Sequence, residues 1–222
     1  MITPEGRSNS SIDAESQAKE ARFVSPYAKI VEPEAAKGLI RNWQNQNQRV
    51  VMVDAVLDIP HFAHAEYFLA CANLGDRLAL RVNSDAFVTS RKDHRGPIVP
   101  FQERAMHAAH YPYIDVVTSK DEGGWGWLEA YKPDIIVKST TSGKAVRDEI
   151  DQVRAYLEEL GTELVIMDEY HAIVLLDQAH QRGVEYESRK LTSERISGSI
   201  IKAEIVRRAQ EDGVIVDFTQ NG

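Results

Sequence analysis

Several features that would place this chain in other protein classes are missing from its sequence. Cys71 is the only cysteine among 222 residues, which excludes a disulfide framework and a thiolate zinc site. No apolar run approaches the ~20 residues that a membrane-spanning helix needs. The N-terminus is polar and mixed in charge, without the apolar core of a signal peptide. These absences predict a soluble, cytoplasmic protein.

A surplus of basic charge is also missing. The chain has 26 lysines and arginines against 34 aspartates and glutamates, and its formal net charge is −8 at pH 7. Proteins with a general affinity for nucleic acid or anionic membranes need an excess of Lys and Arg, so neither is expected as a partner. By contrast, the hydrophobic content of 43% is sufficient for the core of one α/β domain.

The composition of the chain changes near residue 22. Residues 1–22 contain few large apolar side chains, which predicts a flexible tail. Residues 23–222 are predicted to form a single domain, with an N-terminal helix at 33–46 and a core at 49–210. Short apolar runs alternate there with amphipathic stretches, which predicts an α/β fold: a Rossmann-like parallel sheet with helices on both faces. The expected strands are Val50–Val53, Arg77–Val82, Tyr113–Val117, Pro133–Lys138 and Glu163–Met167.

Two histidines follow the first predicted strand. His61 and His64 are one turn apart at the start of a helix expected over His61–Asn73, whose apolar residues recur every three or four positions. A helix N-terminus presents unpaired N–H groups and a partial positive charge, so it favours phosphate, and imidazoles add further donors. The pair therefore predicts a polyphosphate site, and Ser197, Gly198 and Ser199 open a second helix of the same kind.

Further polar residues stand where ligands bind in open parallel sheets. Asp85 follows the second predicted strand and Lys138 ends the fourth, and such strand ends meet at one edge of the sheet. A loop predicted over Thr89–Pro100 is basic. It is either a solvated surface loop or a segment that closes over a triphosphate or a phosphorylated acceptor and neutralises charge during transfer. Its cationic side chains include Arg91, Lys92, His94 and Arg95.

These segments together resemble the cytidylyltransferase-like nucleotidyltransferases. The resemblance covers Arg49–Arg207 and is carried by D-x-x-L-D-x-P-H-x-x-H-x-x-Y-F from Asp54, V-N-S-D, P-D-x-x-V-K and the Ser-Gly-Ser run. The H-x-G-H signature of that family is present here as H-F-A-H, and Arg104 matches the arginine of its P-x-x-x-R segment. The branch that it resembles most contains heptose-phosphate adenylyltransferases and glycerol-phosphate cytidylyltransferases.

The resemblance implies a fold of the nucleotidyltransferase type and an enzyme that moves a nucleoside monophosphate from ATP or CTP to a sugar or polyol phosphate, releasing pyrophosphate. Mg²⁺ would arrive with the triphosphate, without a dedicated protein site, and a homodimer is expected. We assign catalysis to His61, His64 and Lys92. The residues expected to bind nucleotide are Asp54, Ala55, Val56, Asp85, Lys138, Ser197, Gly198 and Ser199. Those expected to contact the acceptor or a phosphate are Arg91, Arg95 and Arg104.

Other functions remain open at this level. Ala63 occupies the position of the signature glycine, and 139–143 replaces the glycines that follow the family's lysine, so a catalytically weak regulatory protein that binds nucleotides is one alternative. A mononucleotide adenylyltransferase of cofactor synthesis is another. A dinucleotide-dependent oxidoreductase is disfavoured because no G-x-G-x-x-G follows the first strand. A metal site at the acidic bend 168–171 is disfavoured because it contains a single histidine.

Overall fold

A five-stranded parallel sheet forms the centre of the computed structural model, which describes residues 25–91, 96–139 and 153–167 together with Arg207. The strand order is β3-β2-β1-β4-β5, so the order reverses between β1 and β4. Ligands of open α/β sheets bind beside such a reversal, at the edge where the strands end. The strands are β1 (Val50–Ala55), β2 (Arg77–Asn83), β3 (Val116–Lys120), β4 (Ile135–Ser139) and β5 (Glu163–Met167).

Helices cover both faces of this sheet, which confirms the predicted architecture. They are α1 (Pro26–Lys29), α2 (Pro33–Asn45), α3 (Phe62–Ala72), α4 (Asp85–Arg91), α5 (Phe101–Ala109), α6 (Trp127–Tyr131) and α7 (153–160). The helix predicted at 33–46 is α2, which begins with a proline and buries Ala36 and Ile40. Gly161, at a φ of 72°, follows α7, as expected of a glycine that ends a helix.

The alternation of side chains along the strands separates two hydrophobic cores. Val51 and Val53 of β1 belong to one core, with Phe68 of α3 and the alanines of α5. Met52 points to the opposite face, where the second core contains Ile40 of α2 and residues of α6 and α7. Because successive residues of a strand alternate between faces, Asp54 lies on the same face as Met52, directly beyond the second core.

Three local predictions were wrong. The third strand begins at Val116 rather than Tyr113, because the chain is still turning: the Ile114 N–H donates to the carbonyl of Tyr111. The predicted basic loop does not begin at Thr89, because α4 continues to Arg91 and is capped by the Ser84 side chain, which accepts the Phe87 N–H. Phe62, which was counted among the recurring apolar residues that predict the buried face of this helix, is 51% exposed, because α3 begins at the edge of the sheet and buries its later turns instead.

Several predicted features lie outside the described residues. These are the tail, residues 92–95 of the predicted basic loop, which include Lys92 and Arg95, the acidic bend at 168–171, and the second phosphate-binding helix start with Ser197, Gly198 and Ser199. Within the described part of the chain, no helix is both long and apolar enough to cross a membrane.

Candidate active site

The two histidines meet at the N-terminus of α3, as the sequence indicated. His61 precedes the helix in an extended conformation, and its backbone N–H donates to Nδ1 of His64 at 3.3 Å. The ring centroids are 4.1 Å apart. Because Nδ1 of His64 accepts a hydrogen bond, a neutral His64 ring carries its proton on Nε2. His64 therefore has an N–H donor available for an oxygen of a ligand.

Both imidazoles are neutral at pH 7 in the free protein. Burial is the largest cause that lowers the pKa of His64, and the nearby His61 and His107 rings act in the same direction, so that together they bring this pKa to about 4. Burial also lowers the pKa of His61. Nδ1 of His61 is buried and has no hydrogen-bond partner among the described residues, since the His64 N–H donates instead to the His61 carbonyl at 2.9 Å. A ligand group at this helix start would satisfy that nitrogen.

A second polar group lies on the ends of β1 to β4, and we call it the Asp54 cluster: Asp54, Arg81, Lys120 and Lys138. The Asp54 carboxylate accepts from Nε and Nη2 of Arg81 at 2.8 and 3.1 Å. Its Oδ2 also accepts from Lys120 Nζ at 2.7 Å and from Lys138 Nζ at 3.0 Å. One buried carboxylate thus binds three cations.

The charges of the Asp54 cluster determine its ionisation. Burial alone would raise the pKa of the Asp54 carboxyl, but the positive charges of Lys138, Arg81 and Lys120 outweigh burial and hold that pKa well below its usual range. Burial lowers the pKa of the Lys120 ammonium, and the Asp54 charge opposes that shift. Arg81 is additionally stacked on the ring of Trp127, with its guanidinium carbon 3.4 Å from the centroid.

Arg104 forms hydrogen bonds to three segments at this edge of the sheet. Its side chain is fully buried, and it donates to the carbonyls of Val99 and Val56 and to the carboxylate of Asp85. The other oxygen of Asp85 accepts the Phe101 N–H at 3.2 Å. Although the sequence predicted a contact between Arg104 and the acceptor or a phosphate, its guanidinium is engaged with protein groups. Arg104 therefore positions the turn after β1 against the starts of α4 and α5.

The remaining predicted residues in the described chain are more dispersed. Ala55 is the last residue of β1 and lies opposite Val82 in register. Arg91 is the last residue of α4 and is exposed, with its guanidinium carbon 5.5 Å from the centroid of the Phe87 ring. The structure thus brings His61 together with His64, and Asp54 together with Lys138, while Arg91 is not part of either group.

Two members of the Asp54 cluster were missed in the sequence. Arg81 interrupts an otherwise apolar strand, L-A-L-R-V, and a charged residue in a buried strand needs a partner, so this signal was available. Lys120 offered no comparable signal, because one lysine in the segment S-K-D-E is typical of a solvated turn. Only the register of β3 against β2, with Lys120 opposite Asn83, brings it to the cluster.

The described residues hold no group of three or more His, Cys, Asp or Glu side chains that could bind a metal ion. The resemblance implies that Mg²⁺ arrives with the triphosphate, where phosphate oxygens and water would bind it.

The fold and the site together define an α/β protein whose strand-end edge is suited to phosphate groups. The chain belongs to the cytidylyltransferase-like family, whose model matches residues 52–204. This match confirms the nucleotidyltransferase class that the sequence indicated.

Similar proteins are known in sequence and in structure. The bifunctional protein HldE of Methylobacillus flagellatus is 28% identical over 129 residues, which are 58% of this chain and 26% of that protein. The bifunctional protein HldE of Koribacter versatilis is 33% identical over 112 residues, 50% of this chain and 23% of that protein. This chain thus spans about a quarter of the length of these relatives. A pantoate-beta-alanine ligase structure from Francisella tularensis covers 86% of this chain and 81% of its own at a TM-score of 0.52 and 12% identity, which shows the fold alone.

Proposed function

We propose that the protein transfers a nucleoside monophosphate from ATP or CTP to a small phosphorylated sugar or polyol and releases pyrophosphate. The observation that carries this proposal is the pair of neutral imidazoles at the N-terminus of α3, with the Nε2–H donor of His64 available to a ligand. Membership of the cytidylyltransferase-like family supports the reaction type.

The proposed reaction needs little covalent chemistry from the protein. A phosphate oxygen of the acceptor, already ionised at pH 7, attacks the α-phosphorus of the triphosphate. The bond from the α-phosphorus to the oxygen that bridges it to the β-phosphorus breaks, and that oxygen leaves with pyrophosphate. The protein lowers the barrier by holding the two substrates in line and by aiming N–H donors at oxygens that gain negative charge.

The histidines supply those donors without adding fixed charge to the free site. A neutral His64 donates from Nε2 toward the triphosphate, and its Nδ1 stays bonded to the His61 N–H, which holds the ring in place. His61 offers its unpartnered Nδ1 at the same helix start. When a polyphosphate binds, its negative charge favours protonation, so the pKa of His64 should rise from about 4 on binding.

The identity of the nucleotide and of the acceptor is part of the proposal. The resemblance to heptose-phosphate adenylyltransferases, together with the relatives named bifunctional protein HldE, favours ATP and a sugar phosphate. The resemblance to glycerol-phosphate cytidylyltransferases would favour CTP and a polyol phosphate. Lys92, Arg95, Ser197, Gly198 and Ser199 are proposed to complete the phosphate contacts, and the predicted homodimer can be checked by light scattering.

Pyrophosphate release tests this function. The full chain is incubated with Mg²⁺, with ATP or CTP, and with heptose phosphate or glycerol phosphate. We expect release with one combination and a loss of about 10²–10³-fold in turnover for His64→Ala, the loss typical of removing one preorganised donor. His110→Ala is the matched control, because His110 is exposed at the end of α5 and, within the part of the chain that the structure describes, its ring bonds only to the carbonyl of Met106.

A second candidate function is favoured by Ala63. Its side chain is exposed between the two histidines, at the position where the family signature has a glycine, so its methyl group faces an arriving phosphate. A protein of this fold that binds nucleotide but turns it over weakly would show a nucleotide-dependent thermal shift without pyrophosphate release. Equal turnover by His64→Ala and the wild type would contradict the catalytic proposal.

A further inference from the structure

The Asp54 cluster has more positive charge than its own groups neutralise. Within the described residues, all the ion pairs of Arg81, Lys120 and Lys138 go to one carboxylate, which leaves an excess of two positive charges. The side chains of these cations are only 2%, 13% and 16% exposed, respectively. Buried charge is costly unless a partner compensates it, so an arrangement of this kind is suited to an anion.

The lysines hold the donors that such an anion would use. Arg81 forms a two-point contact with Asp54, whereas Lys120 and Lys138 each donate one hydrogen bond, both to the same oxygen, Oδ2. An ammonium group has three N–H donors, so the hydrogen bonds to the described part of the chain leave two on each lysine. Because both ammonium groups bind one oxygen atom, they are neighbours and can reach a common ligand.

The lysine pair is surrounded by protein side chains rather than by solvent. The ring of Phe87 lies 5.3 Å from Lys120 Nζ, and the ring of Trp125 lies 5.2 Å from Lys138 Nζ. A buried donor nearby, the Nε1–H of Trp125, has no hydrogen-bond partner among the described residues. An unsatisfied buried donor beside excess cations indicates a place for an anionic ligand.

The lysine pair is distinct from the histidine site but lies at the same edge of the sheet. The helix with the histidines packs on the face of Val51 and Val53, whereas Asp54 lies on the opposite face, beyond Met52. The two faces meet at the reversal between β1 and β4. The charge of Asp54 reaches across the sheet: it is one of the smaller causes, after burial, that raise the pKa of Tyr67, one turn after His64.

We propose that Lys120 and Lys138 form the subsite for the phosphate group of the acceptor, while the triphosphate binds at the histidines. This inference rests on the proposed function and assigns Lys138 to the acceptor instead of the nucleotide. A phosphate monoester carries about two negative charges at pH 7, which matches the excess charge of the cluster better than a carboxylate does. Asp54 is the positioning residue that holds both ammonium groups in place.

Inorganic phosphate is the probe for a direct test. Its dissociation constant is measured by calorimetry on the full chain for the wild type, Lys120→Met and Lys132→Met. Methionine keeps the stem and removes the charge. Lys132 is the control, since it is exposed beyond α6 and loses the same charge. We expect a weakening of at least tenfold in Lys120→Met and less than twofold in Lys132→Met. Lys138→Met tests the subsite from β4 should Lys120→Met fail to fold.

A second set of measurements tests the phosphate subsite independently of the proposed function. Phosphate should still bind when Mg²⁺ and ATP or CTP are present in excess, and His64→Ala should weaken nucleotide binding while phosphate binding stays within twofold. In turnover, Lys120→Met should raise KM for the acceptor and leave KM for the nucleotide unchanged. Phosphate that does not bind, that competes with nucleotide, or that responds equally to Lys132→Met would overturn the subsite. Absence of all turnover would instead contradict the proposed function, and the phosphate measurements would still decide the subsite.

Discussion

The histidine pair and the Asp54 cluster lie at one edge of the sheet but differ in charge: the histidines are neutral, whereas the cluster consists of ion pairs. His61 and His64 are kept neutral by burial and are proposed to act as donors, whereas in the cluster three cations form ion pairs with one carboxylate. The first arrangement is local, within one helical turn. The second joins four strands. Neutral donors can follow charge that develops during a reaction, while fixed cations hold charge that a substrate already has.

The largest expected effect is a loss of stability when the Asp54 cluster is disrupted. Asp54→Asn removes the carboxylate and leaves the buried cations uncompensated, so we expect the free energy of unfolding to fall by about 3–5 kcal/mol. Chemical denaturation measures this change. Asp121→Asn is the matched control, because Asp121 is exposed and, among the described residues, its carboxylate accepts a hydrogen bond only from Ser119. A loss below about 1 kcal/mol in Asp54→Asn, the range of an exposed pair, would mean that the cluster is solvated.

A smaller effect is expected at the histidines, and it depends on pH. The folded-state pKa of His64, about 4, is below its unfolded value of about 6.5, so the unfolded state binds a proton first as pH falls. The stability associated with neutral His64 is therefore complete above pH 6.5 and lost between pH 6.5 and 4. Allowing for partial exposure, the loss is on the order of 1–2 kcal/mol.

The comparison of the wild type with His64→Gln isolates this contribution, because glutamine does not titrate and all other groups are shared. Denaturation curves at pH 7 and pH 4 should differ less for His64→Gln than for the wild type. Parallel pH dependences of the two proteins would show that His64 is not held neutral by burial.

The smallest effect is expected for Ala63→Gly, which restores the glycine of the signature. Removing the methyl group lets a phosphate approach the helix start more closely, so nucleotide affinity should rise a few-fold, measured by calorimetry with Mg²⁺ and ATP or CTP. The glycine should also cost about 0.5–1 kcal/mol in stability, because it loses more backbone entropy on folding. Ala65→Gly is the matched control: it lies two residues after Ala63 in α3 and has the same entropic cost, but it leaves the signature unchanged. Equal affinities of both variants would show that the methyl group is no obstruction.

Much of the fold was predictable because its signals are local. The apolar runs at β1, β2, β4 and β5 and the helix at Pro33–Asn45 were all recognised, since period and propensity depend on neighbours in the chain. The start of β3 was misplaced because it depends on contacts that are distant in the sequence. Tyr113 and Ile114 have the composition of a strand, but the Tyr113 hydroxyl donates to the carbonyl of Ala65, and packing against α3 keeps this segment out of the ladder.

The sequence by itself determined the histidine site, because a spacing of three residues at a helix start puts two rings side by side whatever surrounds them. Only the tertiary structure decided the Asp54 cluster. Asp54 is separated from Arg81, Lys120 and Lys138 by 27, 66 and 84 positions along the chain. The order and register of the strands bring these residues together, and both depend on how the whole sheet packs rather than on any single segment.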